Sequence, residues 1–320
     1  MEPTTPDPPG QPETAPPPPA AGGPAPAVHA LPAPPPAWWL LLLVLALSLP
    51  LAFLVIVLGA ALGEGSRTLL ALLATQLAFL LPALAWARLS GYRPLRLLRL
   101  VLPARAGLLL GLLVGVGAIV AGAGLMALWR LALPDSLLAR FDMGRDLMSQ
   151  GWSPALLLGL AALLPALCEE IAFRGALQSS LLRGRTPARA VAIGAVVFAA
   201  AHFDPVRFPG VLLIGLAFGW LAWRTGSIWP SVLAHAVNNG AAVLVYLSVD
   251  PGAAEAVDPT EALAAPEAAL VLAFGLALLG LAATAARRWL PPAPGAASFL
   301  VARAREAGPA LQPPVTGAST

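Results

Sequence analysis

From Trp38 to Ala286 the chain strings together apolar stretches, each close to the length a helix needs to cross a bilayer. A hydrocarbon core of about 30 Å takes ~20 apolar residues at a rise of ~1.5 Å each. Eight segments fit that reading: Trp38–Leu62, Thr68–Ala87, Ala106–Leu131, Pro154–Leu182, Ala188–Phe203, Phe208–Trp223, Trp229–Leu247 and Ala264–Ala286. The fifth and sixth are short and separated only by Asp204 to Arg207, so a single re-entrant hairpin fits them as well. Only 11% of residues are charged and 58% are hydrophobic, against about 25% charged in soluble domains. An ordinary soluble globule and a chain disordered throughout are both excluded. The expected fold is all-α, a polytopic membrane bundle of about eight transmembrane helices.

The flanks differ from this body. Residues 1–36 hold 15 prolines and no arginine or lysine, which predicts a disordered tail with neither a signal peptide's basic start nor a nucleic-acid patch. Residues 289–320 are again rich in Pro, Ala and Gly and are expected to be loose, leaving 37–288 as the membrane domain. Every basic residue is an arginine, a usage that suits a GC-rich bacterial genome. With eight spans, 13 of the 19 arginines fall on one side: Arg88, Arg93, Arg96, Arg99, Arg105, Arg183, Arg185, Arg189, Arg224, Arg287, Arg288, Arg303 and Arg305. By the positive-inside rule that side is cytoplasmic, and both termini with it, in an inner membrane. Arg93, Arg96 and Arg99 recur every third residue, as in a short helix lying on anionic headgroups. The Gly107, Gly111, Gly115 ladder and the Gly215–Gly219 pair read as close-packing faces. Cys168 is the only cysteine, so no internal disulfide forms and no disulfide-linked partner is expected.

Three charges sit where charges are costly. Glu169, Glu170 and Arg174 lie deep in the fourth segment, within LLPALCEEIAFRGALQSSLL. Each costs about 2.5–3.5 kcal/mol on insertion scales, so an intramembrane cluster marks a functional site. Glu170 and Arg174 are four apart with the acid first, a spacing that lets them pair. Glu169 is turned ~100° away and has no partner in its own helix; burial would make it a better base. Pro165, one turn earlier, frees a backbone carbonyl. His202 closes the fifth segment four residues after Phe198, and His235 opens HAVNN with Asn239 four residues on. A buried histidine alone is usually a hydrogen-bonded core residue. Two of them with Asn239 and a spare Glu, on three helices, point to a polar pocket inside the bundle. Counting ~1.5 Å per residue from the cytoplasmic ends puts Glu169 and His202 roughly 20 Å deep, Asn239 roughly 15 Å and His235 roughly 10 Å.

The three pieces EEIAFR, FAAAH and HAVNN follow the order EExxxR, FxxxH, HxxxN, none specific alone. Together, on consecutive membrane segments, they resemble the CPBP family of intramembrane endopeptidases, which includes type II CAAX prenyl proteases and bacteriocin-immunity homologues. The resemblance covers Pro154 to Leu247, and the count of eight helices is similar to the family's fold. It implies Glu169 as general base with His202 as its partner in activating a water, and His235 and Asn239 as donors to the tetrahedral oxyanion. Glu170, Arg174 and Phe198 would support the site. The substrate would be a membrane-associated or lipid-modified peptide or protein, with membrane lipid as the other partner and no nucleic acid. No cofactor is expected; zinc held by Glu169, His202 and His235 is the alternative, weakened by the absence of HExxH. Two other classes remain: a non-catalytic scaffold or bacteriocin self-immunity factor of the same fold, and a proton-coupled transporter, which the lack of internal repeats disfavours.

Overall fold

The computed structural model describes residues 64–90, 94–140, 151–248 and 263–292, with single positions between Val44 and Leu58. The proline-rich tail, the body of the first apolar segment Trp38–Leu62 and the C-terminal tail past 292 lie outside the described residues. The chain runs α1 (Glu64–Leu89), the single turn α2 (Pro94–Leu97), α3 (Arg105–Arg130), the short α4 (Asp135–Arg140), the continuous helix α5 (Pro154–Leu181), α6 (Pro187–Ala200), α7 (Phe208–Thr225), α8 (Trp229–Ser248) and α9 (Ala265–Trp289). No strand occurs among the described residues. Six of these helices are long and apolar enough to cross a membrane: α1, α3, α5, α7, α8 and α9.

The fifth predicted segment departs from a full span. α6 has 14 residues, about 21 Å of helix against a core of about 30 Å. It stops at Ala200, and the chain turns through Phe203, whose backbone is left-handed at φ 51°. Asp204 then accepts the amide of Arg207 at 3.0 Å, opening α7. A short helix therefore leaves His202 at the turn rather than in a loop beyond the far side of a full span.

Local signals set the other boundaries. Ser153 and Thr186 accept the amides of Leu156 and Arg189 at 3.4 and 3.5 Å, each just ahead of a proline that opens a helix. Gly226, left-handed at φ 68°, ends α7 and gives its N–H to Ala222 at 3.0 Å. The outer faces are apolar: Leu73, Leu77, Leu81 and Leu84 form an exposed stripe on α1, and Leu270, Phe274 and Leu281 one on α9. Water would penalise such stripes, whereas lipid tails solvate them.

The arginine-bearing links gather at one end of the bundle. Ser227 Oγ donates to Val101 O at 2.7 Å and Ile228 N to Arg99 O at 3.1 Å. Arg224 donates to the carbonyls of Ala286, Leu290 and Pro291, closing the C-terminus of α9. Arg99 departs from the headgroup role expected of it. It is 2% exposed, and desolvation brings its guanidinium down to about 10, still protonated at neutral pH. Only one turn of helix forms in this link; Leu98 then packs inward with its carbonyl against Gly175, and Arg99 follows it.

Both glycine faces are close contacts. A Cβ on Gly111 of α3 would stand 2.6 Å from the Pro230 carbonyl oxygen of α8, a backbone atom with nowhere to go. We expect Gly111→Val to destabilise the fold by about 1–3 kcal/mol, the cost of overpacking, read as a lower midpoint of thermal unfolding in detergent. A midpoint equal to wild type would mean that α3 and α8 are not in contact there.

Candidate active site

α5 carries the acidic residues, and its winding is not uniform. Leu158–Leu163 and Glu170–Leu177 are π-helical, with α-helical turns before, between and after them. Such winding is rare and recurs at functional sites. Pro165 lies between the two stretches, one turn after the Ala161 carbonyl. That oxygen accepts Asn239 Nδ2 from α8 at 3.3 Å. Asn239 Oδ1 accepts from Asn238 at 3.2 Å, and one N–H of its amide remains for another acceptor.

Glu170 is the centre of a buried ionic cluster. It is 0% exposed, and its Oε1 lies 2.9 Å from Arg174 Nη1 and 2.9 Å from His235 Nδ1. The expected four-residue pair forms, and a histidine from α8 joins it. The Arg174 guanidinium also stacks 4.2 Å over the Phe198 ring of α6 and donates to Gly215 O on α7 at 3.4 Å. One turn further along α5, Gln178 donates to Gly219 O at 2.9 Å. The glycine pair on α7 therefore does more than pack: without side chains, its carbonyls are open to α5. The His235 ring sits between Phe198 and Phe218, at centroid distances of 6.1 and 5.6 Å.

Glu169 faces elsewhere, as its rotation from Glu170 predicts. Its Oε2 lies 4.0 Å from His235 Nε2, and its Oε1 accepts from Gln76 of α1 at 3.5 Å. His235 thus stands between the two carboxylates. Glu170 can only accept, so Nδ1 carries the hydrogen between them and Nε2 is the atom turned to Glu169. His202 has the same tautomer for a different reason: its Nδ1 lies 2.8 Å from the Phe198 carbonyl, which also only accepts. Its Nε2 is left with a lone pair. The Phe198 ring, 4.9 Å from His202, separates it from the arginine.

The depths counted from helix ends misplace His235. It lies level with Glu169 and Glu170, not half as deep. The count assumes that α8 starts at the membrane surface, whereas Ser227 and Ile228, just before it, are 1% and 0% exposed beneath the 98–101 link. Among the described residues no group of three His, Cys, Asp or Glu side chains is arranged to hold a metal ion, so Glu169, His202 and His235 do not fit a zinc site as they stand. Cys168 is buried in the helix at 2% exposure.

Residues 151–241 match the family model of the Rce1-like type II CAAX prenyl endopeptidases. The matched stretch opens just before α5 and closes two residues after Asn239, so it holds all three motifs. The resemblance read from EEIAFR, FAAAH and HAVNN is thereby borne out over this segment. Neither a curated protein nor a solved structure matches the chain. Gln76 lies outside the matched segment and went unnoticed in the sequence, where one glutamine in an apolar helix carries no spacing or motif. Its uncharged polarity at a span centre was the only available signal.

The cluster generates a stability prediction. Removing one partner of a buried pair costs about 3–5 kcal/mol, because the other charge is stranded. Arg174→Met should lower the unfolding midpoint strongly, and Glu170→Gln combined with Arg174→Met should recover part of the loss. Equal midpoints for the single and double variants would show that the two residues are not coupled.

Proposed function

We propose that the chain is an intramembrane endopeptidase that hydrolyses a peptide bond in a membrane-associated or lipid-modified peptide or protein, with a water activated by Glu169. The observation that carries this reading is the Glu169 carboxylate itself, buried in a membrane helix, facing His235 at 4.0 Å and unpaired within its own helix. The match to a family of prenyl endopeptidases over the same residues supports the reaction class. In this reading residues 37–288 are the protease domain, with its core at 154–247. The arginine-rich ends face the cytoplasm of a cell whose inner membrane holds the protein.

The chemistry follows from the proton positions. A water held between Glu169 and His202 gives one proton to the carboxylate, while the free Nε2 of His202 accepts a hydrogen bond from the O–H that the oxygen keeps. The oxygen attacks the scissile carbonyl, and negative charge develops on the carbonyl oxygen. Asn239 offers its second N–H to that charge. His235 can donate only through Nε2, because Nδ1–H is committed to Glu170. That donation requires a hydrogen on both ring nitrogens. Arg174, 2.9 Å from Glu170, supplies the opposite charge that a low-dielectric site requires. Collapse of the tetrahedral species breaks the C–N bond, and the proton on Glu169 passes to the leaving amine. The acid product and the amine together account for the water consumed.

The direct test is Glu169→Gln, which keeps shape and removes the base. In purified protein reconstituted into liposomes, kcat on a fluorogenic peptide should fall about 10²–10⁴-fold, the usual contribution of a general base. Full activity in this variant sinks the proposal. The same preparation should keep its activity after exhaustive chelation; stoichiometric zinc lost together with activity would move the reaction to a metal mechanism. Peptides that accumulate in Glu169→Ala cells and not in wild-type cells would name the substrate.

A further inference from the structure

Resting on that hydrolase reading, we infer that Gln76 of α1 is part of the substrate site, holding Glu169 through its amide nitrogen and taking a backbone N–H of the bound peptide through its amide oxygen. α1 lies outside the matched segment, so nothing in the three motifs or the family match assigns it a role.

Three observations carry the inference. Gln76 is 6% exposed in the middle of an apolar helix whose other face is a leucine stripe. A glutamine there is costly unless its amide is used. Nε2 lies 3.5 Å from Glu169 Oε1, and a carboxylate can only accept, which fixes the flip of the amide: nitrogen toward Glu169, oxygen away from it. The oxygen, Oε1, has no hydrogen-bond partner among the described residues although it is fully enclosed. Buried acceptors are ordinarily paired, so an orphan beside a reacting carboxylate needs an explanation.

A peptide supplies what is missing. Its backbone brings N–H donors into a membrane pocket that has few acceptors to spare, and each must be satisfied there. A peptide whose scissile carbonyl reaches the water on Glu169 arrives against the Gln76 amide, and its N–H is the donor that Oε1 lacks. One side chain then fixes the base and the substrate strand relative to each other. A 1 Å error between such partners is expensive in rate. An apolar residue at 76 would suit the helix better and would do neither task.

The test uses full-length protein in liposomes and the best-cleaved member of a pool of fluorogenic peptides, some ending in a farnesylated CAAX-type sequence. Wild type, Gln76→Leu, the closer-sized Gln76→Met and Glu169→Gln are compared. The non-scissile amides of the peptide are replaced one at a time by esters, which removes a single N–H. Gln76→Leu and Gln76→Met should each raise KM about tenfold, the size of the one hydrogen bond lost to the peptide, and lower kcat as Glu169 loses its anchor. One ester position should raise the KM of wild type about tenfold while leaving that of both variants unchanged. A merely structural role for Gln76 would not single out one substrate position. Wild-type kcat and KM in both variants, or ester penalties that are the same with and without Gln76, overturn the inference while Glu169→Gln remains inactive. Cleavage by Glu169→Gln at the wild-type rate, or no cleavage of any peptide by wild type, sinks the hydrolase reading first and this inference with it.

Discussion

Charge inside hydrocarbon has to be neutralised locally, and the bundle is organised around that necessity. Glu170, Arg174 and His235 share one buried carboxylate oxygen at 2.9 Å on each side. Satisfying this cluster recruits four helices: α5 for the pair, α8 for the imidazole, α6 for the aromatic face under the guanidinium and α7 for a backbone carbonyl. Removing any one of these leaves a charge without its solvation. The cluster is costly to build, so it is weak as a source of stability and strong as a device that specifies one arrangement of helices.

The two adjacent carboxylates have different surroundings because they have different neighbours, not different chemistry. Glu170 is enclosed by cations and rings. Glu169 has an uncharged amide on one oxygen and a histidine nitrogen 4.0 Å from the other. His235 links them, one nitrogen on each. Nδ1 of His235 is held by Glu170, so Nε2 is the atom that faces Glu169. The pairing is a positioning device for the neighbouring acid, and the aromatic residues Phe198 and Phe218 keep water from dissolving it.

Backbone features reinforce the same layout. The Ala161 carbonyl of the π-helical stretch accepts from Asn239 of α8. Gly215 and Gly219 leave carbonyls of α7 open to Arg174 and Gln178. The short α6 ends at Ala200, which places His202 at a turn inside the bundle. In the last two cases what is lacking, a side chain or helix length, makes room for a polar contact from another helix. Lipid-facing leucines on α1 and α9 complete the pattern by needing no partner at all.

Among the described residues the sequence by itself determined the helical class, the helix boundaries to within a few residues and the four-residue pairing of Glu170 with Arg174. These follow from periodicity, composition and rise per residue, which are local quantities. It also carried the motif order that the family match bears out over residues 151–241. The tertiary structure alone decided that His235 belongs to Glu170 as well as to Glu169, that Arg99 turns inward, and that Gln76 meets the site from 93 residues away. Those outcomes depend on how far each helix is sunk into the bundle and how its neighbours are rotated. Burial depth and rotation are set by the packing of all the helices together, and no spacing within a single helix encodes them.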